Sequence, residues 1–294
     1  MHDMIQEFLG FLEKEKGYAE NTIAAYRNDL TQFVSYIESK IKGNWQNLDK
    51  EIIDQYIEYL KSQDYSSSTV ARKVAAMKSF SRYLIARGVI QTDPTDTLDS
   101  PKVKKRLPKA ISIEEINKLL DVTNNNDTPK SQRDHAMLEL LYASGMRVTE
   151  LVSLNVHDLD FEEGAVRVEG KSSRIKDRVI PLTEEALEAL QEYVEQGRTQ
   201  LLRSEDDPAL FLNHRGQRLT RQGSWLIIKR YVAEVGISDN VTPHTLRHSF
   251  AAHKLSHGKS LQDIQKLLGH ANISTTQVYT HLAEEEAEQS TSNR

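Results

Sequence analysis

Apolar residues recur at intervals of three and four through the N-terminal third of the chain, the period of helices that bury one face. Ile5, Phe8, Leu9 and Leu12 form the first stripe. Asn21 and Thr22 are cap-type residues ahead of a second stripe of Ile23, Tyr26, Leu30, Phe33, Val34 and Ile37. A third helix is predicted from Asp49 to Lys61. A fourth opens at Ser66-Ser-Ser-Thr69, carries Val70, Val74, Met77, Phe80, Tyr83 and Leu84, and ends near Gly88, a residue suited to a C-cap. Four such helices predict one small bundle.

Asp93-Pro94 and Ser100-Pro101 then break the helical pattern. Between Pro101 and Pro108 the chain crowds Lys102, Lys104, Lys105 and Arg106, with Lys109 just beyond. This reads as an extended basic linker, suited either to solvation as a hinge or to lying along a phosphate backbone; if the lobes on either side bind nucleic acid, the second is favoured. Arg72 and Lys73 on the fourth helix join the linker residues as candidate DNA contacts.

Beyond the linker, Ser112-Ile-Glu-Glu115 is a capping box. Helix is predicted from Gln132 to Leu154 with an interruption at Gly145, and short alternating runs at Asp158–Phe161, Ala165–Glu169 and Arg178–Leu182 predict a three-stranded antiparallel sheet. Helical periodicity returns at Glu184–Leu202, Gln222–Val235, Pro243–His257, Leu261–Leu268 and Thr275–Leu282. The expected fold class is therefore mainly α. A four-helix N-terminal domain spans 1–99, a basic linker 100–110, and a mostly helical domain with one small antiparallel sheet 111–294.

Composition narrows the function classes. Among 294 residues there is no cysteine, so disulfides and thiolate metal sites are excluded and a reducing cytoplasm is the expected location. No apolar run reaches the roughly 20 residues of a bilayer span, and the N-terminus lacks a basic segment followed by an apolar one. The net charge of −5 does not advertise a nucleic-acid partner. Part of the acidic excess, however, sits in the terminal Glu284-Glu-Glu-Ala-Glu288 run, so its distribution matters more than its sum.

The chemistry-bearing residues are concentrated late in the chain. His244-Thr-Leu-Arg247 precedes Leu-Gly-His270 and then Val-Tyr279-Thr-His281, while Gly145-Met-Arg147-Val-Thr-Glu150 and Val168-Glu-Gly-Lys171 lie upstream. Two arginines can grip both non-bridging oxygens of a phosphodiester and stabilise charge that develops there. A tyrosine can attack phosphorus and preserve the bond energy in a covalent intermediate, provided something takes its proton. A lysine can protonate the leaving oxygen. Taken singly, Arg147 could be no more than an ion-pair partner of Glu150, and any one of the 11 tyrosines a core residue. The four-residue spacing of His244 and His248, and of His253 and His257, admits a metal site, but neither cysteine nor an acidic partner in the same turn supports it. His248, His253 and His257 read as helix-surface residues.

The order of these residues, and the ungapped segment Gly269-His270-Ala-Asn-Ile-Ser-Thr-Thr-Gln-Val-Tyr279-Thr-His281, resembles the tyrosine site-specific recombinases, most nearly the bacterial Xer branch. The resemblance runs from Glu15-Lys-Gly-Tyr-Ala-Glu-Asn-Thr-Ile-Ala-Ala-Tyr26 to Tyr279, and is more specific in the second domain. It implies Tyr279 as nucleophile, Arg147, Arg247, His244 and His270 around the phosphate, and Lys171 as general acid, with His244 the expected proton acceptor. The hairpin departs from the family pattern: Gly-Lys171-Ser-Ser-Arg-Ile-Lys176-Asp-Arg178 is longer, which leaves Lys176 as an alternative acid.

The same resemblance implies cleavage and rejoining of duplex DNA through a 3′-phosphotyrosyl bond, without metal or other cofactor, in chromosome or plasmid dimer resolution. Implied partners are a double-stranded recombination site, a homo- or hetero-tetramer that includes a second related recombinase in the latter case, and a DNA translocase as activator; no membrane is implied. The acidic segment from Leu282 to Arg294 either docks on a neighbouring protomer or is a solvated tail. Two alternatives stand beside this reading: the integrase of a phage or mobile element, whose arm-binding segment is not expected ahead of these core helices, and a DNA-binding accessory protein that does not cut.

Overall fold

The computed structural model describes residues 1–99, 110–124, 128–170, 177–204, 206–238, 241–270, 272 and 276–280. Lys102, Lys104, Lys105, Arg106, Lys171, Lys176 and the terminal acidic segment lie outside the described residues. The chain divides into two compact units, Met1–Arg106 and Leu107–Arg294.

The first unit is built from α1 (His2–Lys14), α2 (Glu20–Ile37), α3 (Lys50–Ser62) and α4 (Ser67–Ala86), with a short 3₁₀ turn at Trp45–Asn47. The apolar stripes of the sequence become its core: Phe8 packs on Phe80 with ring centroids 5.3 Å apart, and Phe33 on Tyr56 at 5.0 Å. Each such fully buried side chain stabilises the bundle by roughly 1.5–3 kcal/mol. Asp49 and Ser66 cap α3 and α4, accepting from the backbone N–H groups of Ile52 and Thr69. The expected cap of α2 is corrected: the helix already begins at Glu20 after an extended Ala19, so Asn21 and Thr22 lie in its first turn and no side chain caps it.

The paired cations of α4 are also redefined. Asp29 of α2 is buried, and a buried carboxylate needs compensating charge. Lys73 Nζ meets Asp29 Oδ1 at 3.0 Å and is itself buried, while Arg72 pairs with the other carboxylate oxygen from a half-exposed position. The ammonium of Lys73 is thus turned into the bundle rather than toward a ligand, because it is the internal counter-ion of Asp29.

The second unit opens with α5 (Ile113–Thr123), whose capping box joins Glu115 N–H to Ser112 Oγ at 3.2 Å and Ser112 N–H to Glu115 Oε2 at 2.9 Å. The central helix α6 (Pro129–Ser144) starts earlier than its apolar pattern predicts, because Thr128 caps it and Pro129 occupies the first turn, where a missing N–H costs nothing. It is buried on nearly every side. Gly145 ends it in the left-handed conformation at φ 59°, the interruption expected there, and an extended Arg147 then leads into a separate turn α7 (Val148–Leu151).

The three-stranded antiparallel sheet has the order β1 (Leu159–Asp160), β2 (Ala165–Val168), β3 (Arg178–Pro181), with Val166 opposite Ile180. A 3₁₀ turn at Val156–Asp158 shortens the first strand. Next come α8 (Glu184–Glu192), a π-helical turn at Tyr193–Gly197 and α9 (Arg198–Leu201), in place of one uninterrupted helix. At Gly197 an added Cβ would lie 2.7 Å from Gln132 Oε1 and 3.0 Å from Tyr193 Cδ2, so a side chain on this turn would have to displace the end of Gln132 on α6. The unit closes with α10 (Arg221–Glu234), α11 (Pro243–Ser256), α12 (Leu261–Leu268) and a helical turn at 278–280. A core of Met137, Leu141, Val166, Ile180, Tyr193, Phe211 and Leu246 fills its centre, and a satellite cluster of Phe250, Ile264, Leu268 and Tyr279 joins α11, α12 and the last turn. Among the described residues no helix is long and apolar enough to cross a membrane.

Candidate active site

Two glycines and one helix start place the reactive side chains. Thr242 and Pro243 open α11, with Thr242 Oγ1 accepting from Thr245 N–H at 3.3 Å. His244, Arg247 and His248 consequently lie one turn apart on the first half of that helix. Gly269 stops α12 at φ 63° and turns the chain so that His270 meets Arg247. Gly145 allows α6 to end against α11: an added Cβ there would fall 2.3 Å from Phe250 Cδ1.

Arg247 is buried and fixed by carbonyls, donating from Nη1 to Gly145 O and from Nη2 to Leu268 O, both at 2.7 Å. Its Nη2 is also 2.9 Å from His270 Nε2. A guanidinium cannot accept, so that imidazole nitrogen does, and His270 Nδ1–H donates to Thr276 Oγ1 at 2.9 Å. The tautomer of His270 is thereby set by its two neighbours. Burial and the charges of Arg247 and Arg147 bring its pKa down to about 4, so the ring is neutral.

Arg147 caps α7 from an extended backbone, with its N–H donating to Glu150 Oε2 at 2.7 Å. Its guanidinium touches Glu150 Oε1 at 3.3 Å and remains about one-third exposed (32%), so the ion pair expected from the sequence exists without enclosing the side chain. Burial and the charge of Arg147 depress Arg247 to about 10, still charged at neutral pH. Two adjacent guanidiniums in a partly desolvated place form a site suited to an anion.

Tyr279 is almost fully buried at 2% exposure, and its hydroxyl is 3.0 Å from His248 Nδ1. Burial raises the phenol pKa above its ordinary value against the opposing pull of Arg247, so it is protonated at neutral pH and donates. Burial and the neighbouring His244 and Arg247 lower His248 to about 4, so it accepts. His244 stacks on His248, with ring centroids 6.4 Å apart. This corrects two expectations. His248 is no surface residue, and the histidine bonded to the tyrosine is His248 rather than His244, because the last helical turn seats Tyr279 one turn along α11. The signal was present as histidine at i and i+4 beside Arg247.

His253 is likewise buried rather than superficial, with its Nδ1 2.8 Å from the hydroxyl of Tyr142. His257 is exposed, as expected. Among the described residues no three His, Asp or Glu side chains converge to hold a metal ion. His244 instead borders a cleft of about 500 Å³ with Val148, Arg221, Gln222 and Trp225.

The arrangement thus brings Arg147, Arg247, His270, His244 and Tyr279 into one place. Residues 109–286 match the Phage integrase family, and residues 5–88 match the Phage integrase, N-terminal SAM-like domain. The chain belongs to the phage integrase family. It is a tyrosine recombinase by kinship: it is 50% identical to a tyrosine recombinase XerC of Herpetosiphon aurantiacus, over 98% of this chain and 93% of that one. It is 43% identical to a tyrosine recombinase XerD of Staphylococcus epidermidis, over 96% and 95%. Among solved structures, the XerH site-specific recombinase bound to a palindromic difH substrate shares the fold with a TM-score of 0.77, at 23% identity over 98% of this chain and 84% of that one. XerA recombinase aligns over 100% of this chain and 98% of that one, with a TM-score of 0.55 and 28% identity.

Proposed function

We propose that this recombinase cuts each DNA strand by attack of the Tyr279 oxygen on the scissile phosphorus. The observation that carries the reading is a protonated, buried tyrosine joined to a neutral histidine beside two arginines. Arg147 and Arg247 hold the non-bridging oxygens and stabilise the charge that grows on them. The phenol proton passes to His248 Nδ1 as the Tyr279 oxygen–phosphorus bond forms. The bond from phosphorus to the 5′ oxygen breaks, and that oxygen takes a proton from the general acid, Lys171 or Lys176. A 3′-phosphotyrosyl link remains, and attack by a 5′ hydroxyl reverses every step. His270 orients Arg247, and His244, facing the cleft with Arg221 and Gln222, contributes a further contact to the phosphate.

The role is chromosome or plasmid dimer resolution in the cytoplasm, supported by similarity to relatives named XerC and XerD. The recurrence of two recombinase names among the relatives supports work alongside a second, related recombinase; a tetramer and activation by a DNA translocase complete the proposed assembly. Basic residues 102, 104, 105 and 106 lie along the phosphate backbone, with Arg72 adding a contact from the first unit while Lys73 supports it internally through Asp29.

The test is incubation with a duplex carrying the recombination site and a nick beside the cleavage position. The expected product is a covalent protein–DNA species that survives denaturation and is absent for Tyr279→Phe, whose DNA binding persists. An adduct with Tyr279→Phe overturns the nucleophile.

A further inference from the structure

Glu150 is shared by two arginines, and they do not hold it equally. Arg178, on β3, forks onto it with Nη1 3.1 Å from Oε1 and Nη2 2.9 Å from Oε2, both side chains being enclosed at 9% and 5% exposure. Arg147 reaches the same Oε1 at 3.3 Å through one nitrogen. The Nε of Arg178 donates at 2.7 Å to Leu267 O, two residues before the glycine that turns the chain into His270. An added Cβ on that glycine would lie 3.0 Å from Arg178 Nη1, so the turn is seated directly against the guanidinium.

We propose that Arg178 is a positioning residue for strand cleavage: it occupies the Glu150 carboxylate so that the Arg147 guanidinium stays free for phosphate, and it fixes the His270 turn beside that site. The inference rests on the reading of Arg147 as a phosphate ligand. Its physical basis is competition. A buried carboxylate left with one cation draws that cation into contact, since an unpaired internal charge is costly. Glu150 without Arg178 keeps Arg147 as the cation in direct contact with it, and a guanidinium clamped there is withdrawn from the DNA. Although burial raises the Glu150 pKa, hydrogen bonds from Arg178 and from the Arg147 backbone hold it below the ordinary value, so the carboxylate is charged and the competition real. Lysine is no full substitute, because a point-like ammonium cannot fork onto the carboxylate and reach Leu267 O together.

The test uses the full-length protein on a nicked duplex, with single-turnover cleavage measured across DNA concentrations. Arg178→Ala should lower the saturating rate by about 100-fold, the scale expected when a catalytic group is displaced by around 1 Å. The half-saturating DNA concentration should change little. Adding Glu150→Gln to Arg178→Ala should restore at least about ten-fold, since an amide still accepts the Arg147 N–H but no longer attracts its charge. A residue needed only for folding would behave oppositely, the second change deepening the defect and lowering the unfolding temperature further. Arg178→Lys, which keeps the charge, provides the same comparison if the alanine variant does not fold, with a lower saturating rate that Glu150→Gln improves. Wild-type rates in the Arg178 variants, a loss confined to half-saturation, or a deeper defect on adding Glu150→Gln would each overturn the proposal. If the wild-type protein forms no covalent adduct, the recombinase mechanism fails first and this inference with it; if it does and the Arg178 variants match it, this inference alone fails.

Discussion

The hydroxyl of Tyr279 and Nδ1 of His248 are 3.0 Å apart, and the proton between them sits on the phenol. His248 is the group geometrically able to receive it. His248→Gln retains a hydrogen-bond acceptor but not a base, so cleavage of a nicked substrate should fall by about 10²–10⁴-fold while DNA binding persists. Replacing the leaving oxygen with sulfur should not restore the rate, because the defect is on the attacking side. If His248→Gln cuts normally and His244→Gln does not, His244 is the acceptor and Tyr279 must shift along α11 before attack.

The same histidines predict a pH dependence of stability. His248 and His270 have folded pKa values of about 4 against an ordinary 6.5, so between those limits the unfolded chain binds protons that the folded chain refuses. Stability therefore falls as pH drops from 6.5 toward 4. In thermal unfolding, the wild-type melting temperature should decline over that window more steeply than that of a His248→Gln, His270→Gln double variant. Equal slopes would show that both imidazoles titrate normally in the folded state.

How far the site was legible follows from where its information lies. Arg147, Arg247, His270 and Tyr279 each sit in a short motif, so local spacing and family resemblance single them out without coordinates. The bundle was legible from its stripes, because Phe8, Phe33 and Phe80 fall on the helical period that buries them. His248 was missed: its spacing from His244 also suits a metal pair or a solvated face, and only the packing of Tyr279 against α11 decides among these. Arg178 and Glu150 are still less visible. They are 28 residues apart, with β1 and β2 between them in sequence, and their pairing depends on β3 running beside the end of α12. Lys73 misled for the opposite reason: a basic pair on a helix reads as exposed unless the buried Asp29 across the bundle is known.

Lys171 and Lys176 remain to be separated by chemistry. A sulfur at the bridging 5′ position leaves as thiolate without needing a proton, so it makes the general acid dispensable. Lys171→Ala should be slow on the normal duplex and recover on the sulfur substrate, whereas Lys176→Ala should respond similarly to both. Recovery confined to Lys176→Ala would move the acid to that position and imply that the longer hairpin shifts the reactive lysine toward β3.

The basic linker offers the remaining test, since Lys102, Lys104, Lys105 and Arg106 are proposed to follow phosphates in a chain whose net charge is −5. Each phosphate contact releases condensed counterions and contributes about −0.9 to the slope of log affinity against log salt on duplex DNA. Replacing all four by Gln should flatten that slope and weaken binding to the recombination site and to an unrelated duplex by similar factors, because contacts to phosphate carry no base information. Arg72→Ala should flatten it by a smaller amount, as one half-exposed cation already shared with Asp29. Lys73→Ala should act differently, reducing the melting temperature while leaving the salt slope nearly unchanged, because its ammonium neutralises a buried carboxylate. An unchanged slope in the fourfold variant would remove the linker from the DNA interface and place the phosphate contacts among residues 1–99 and 111–294.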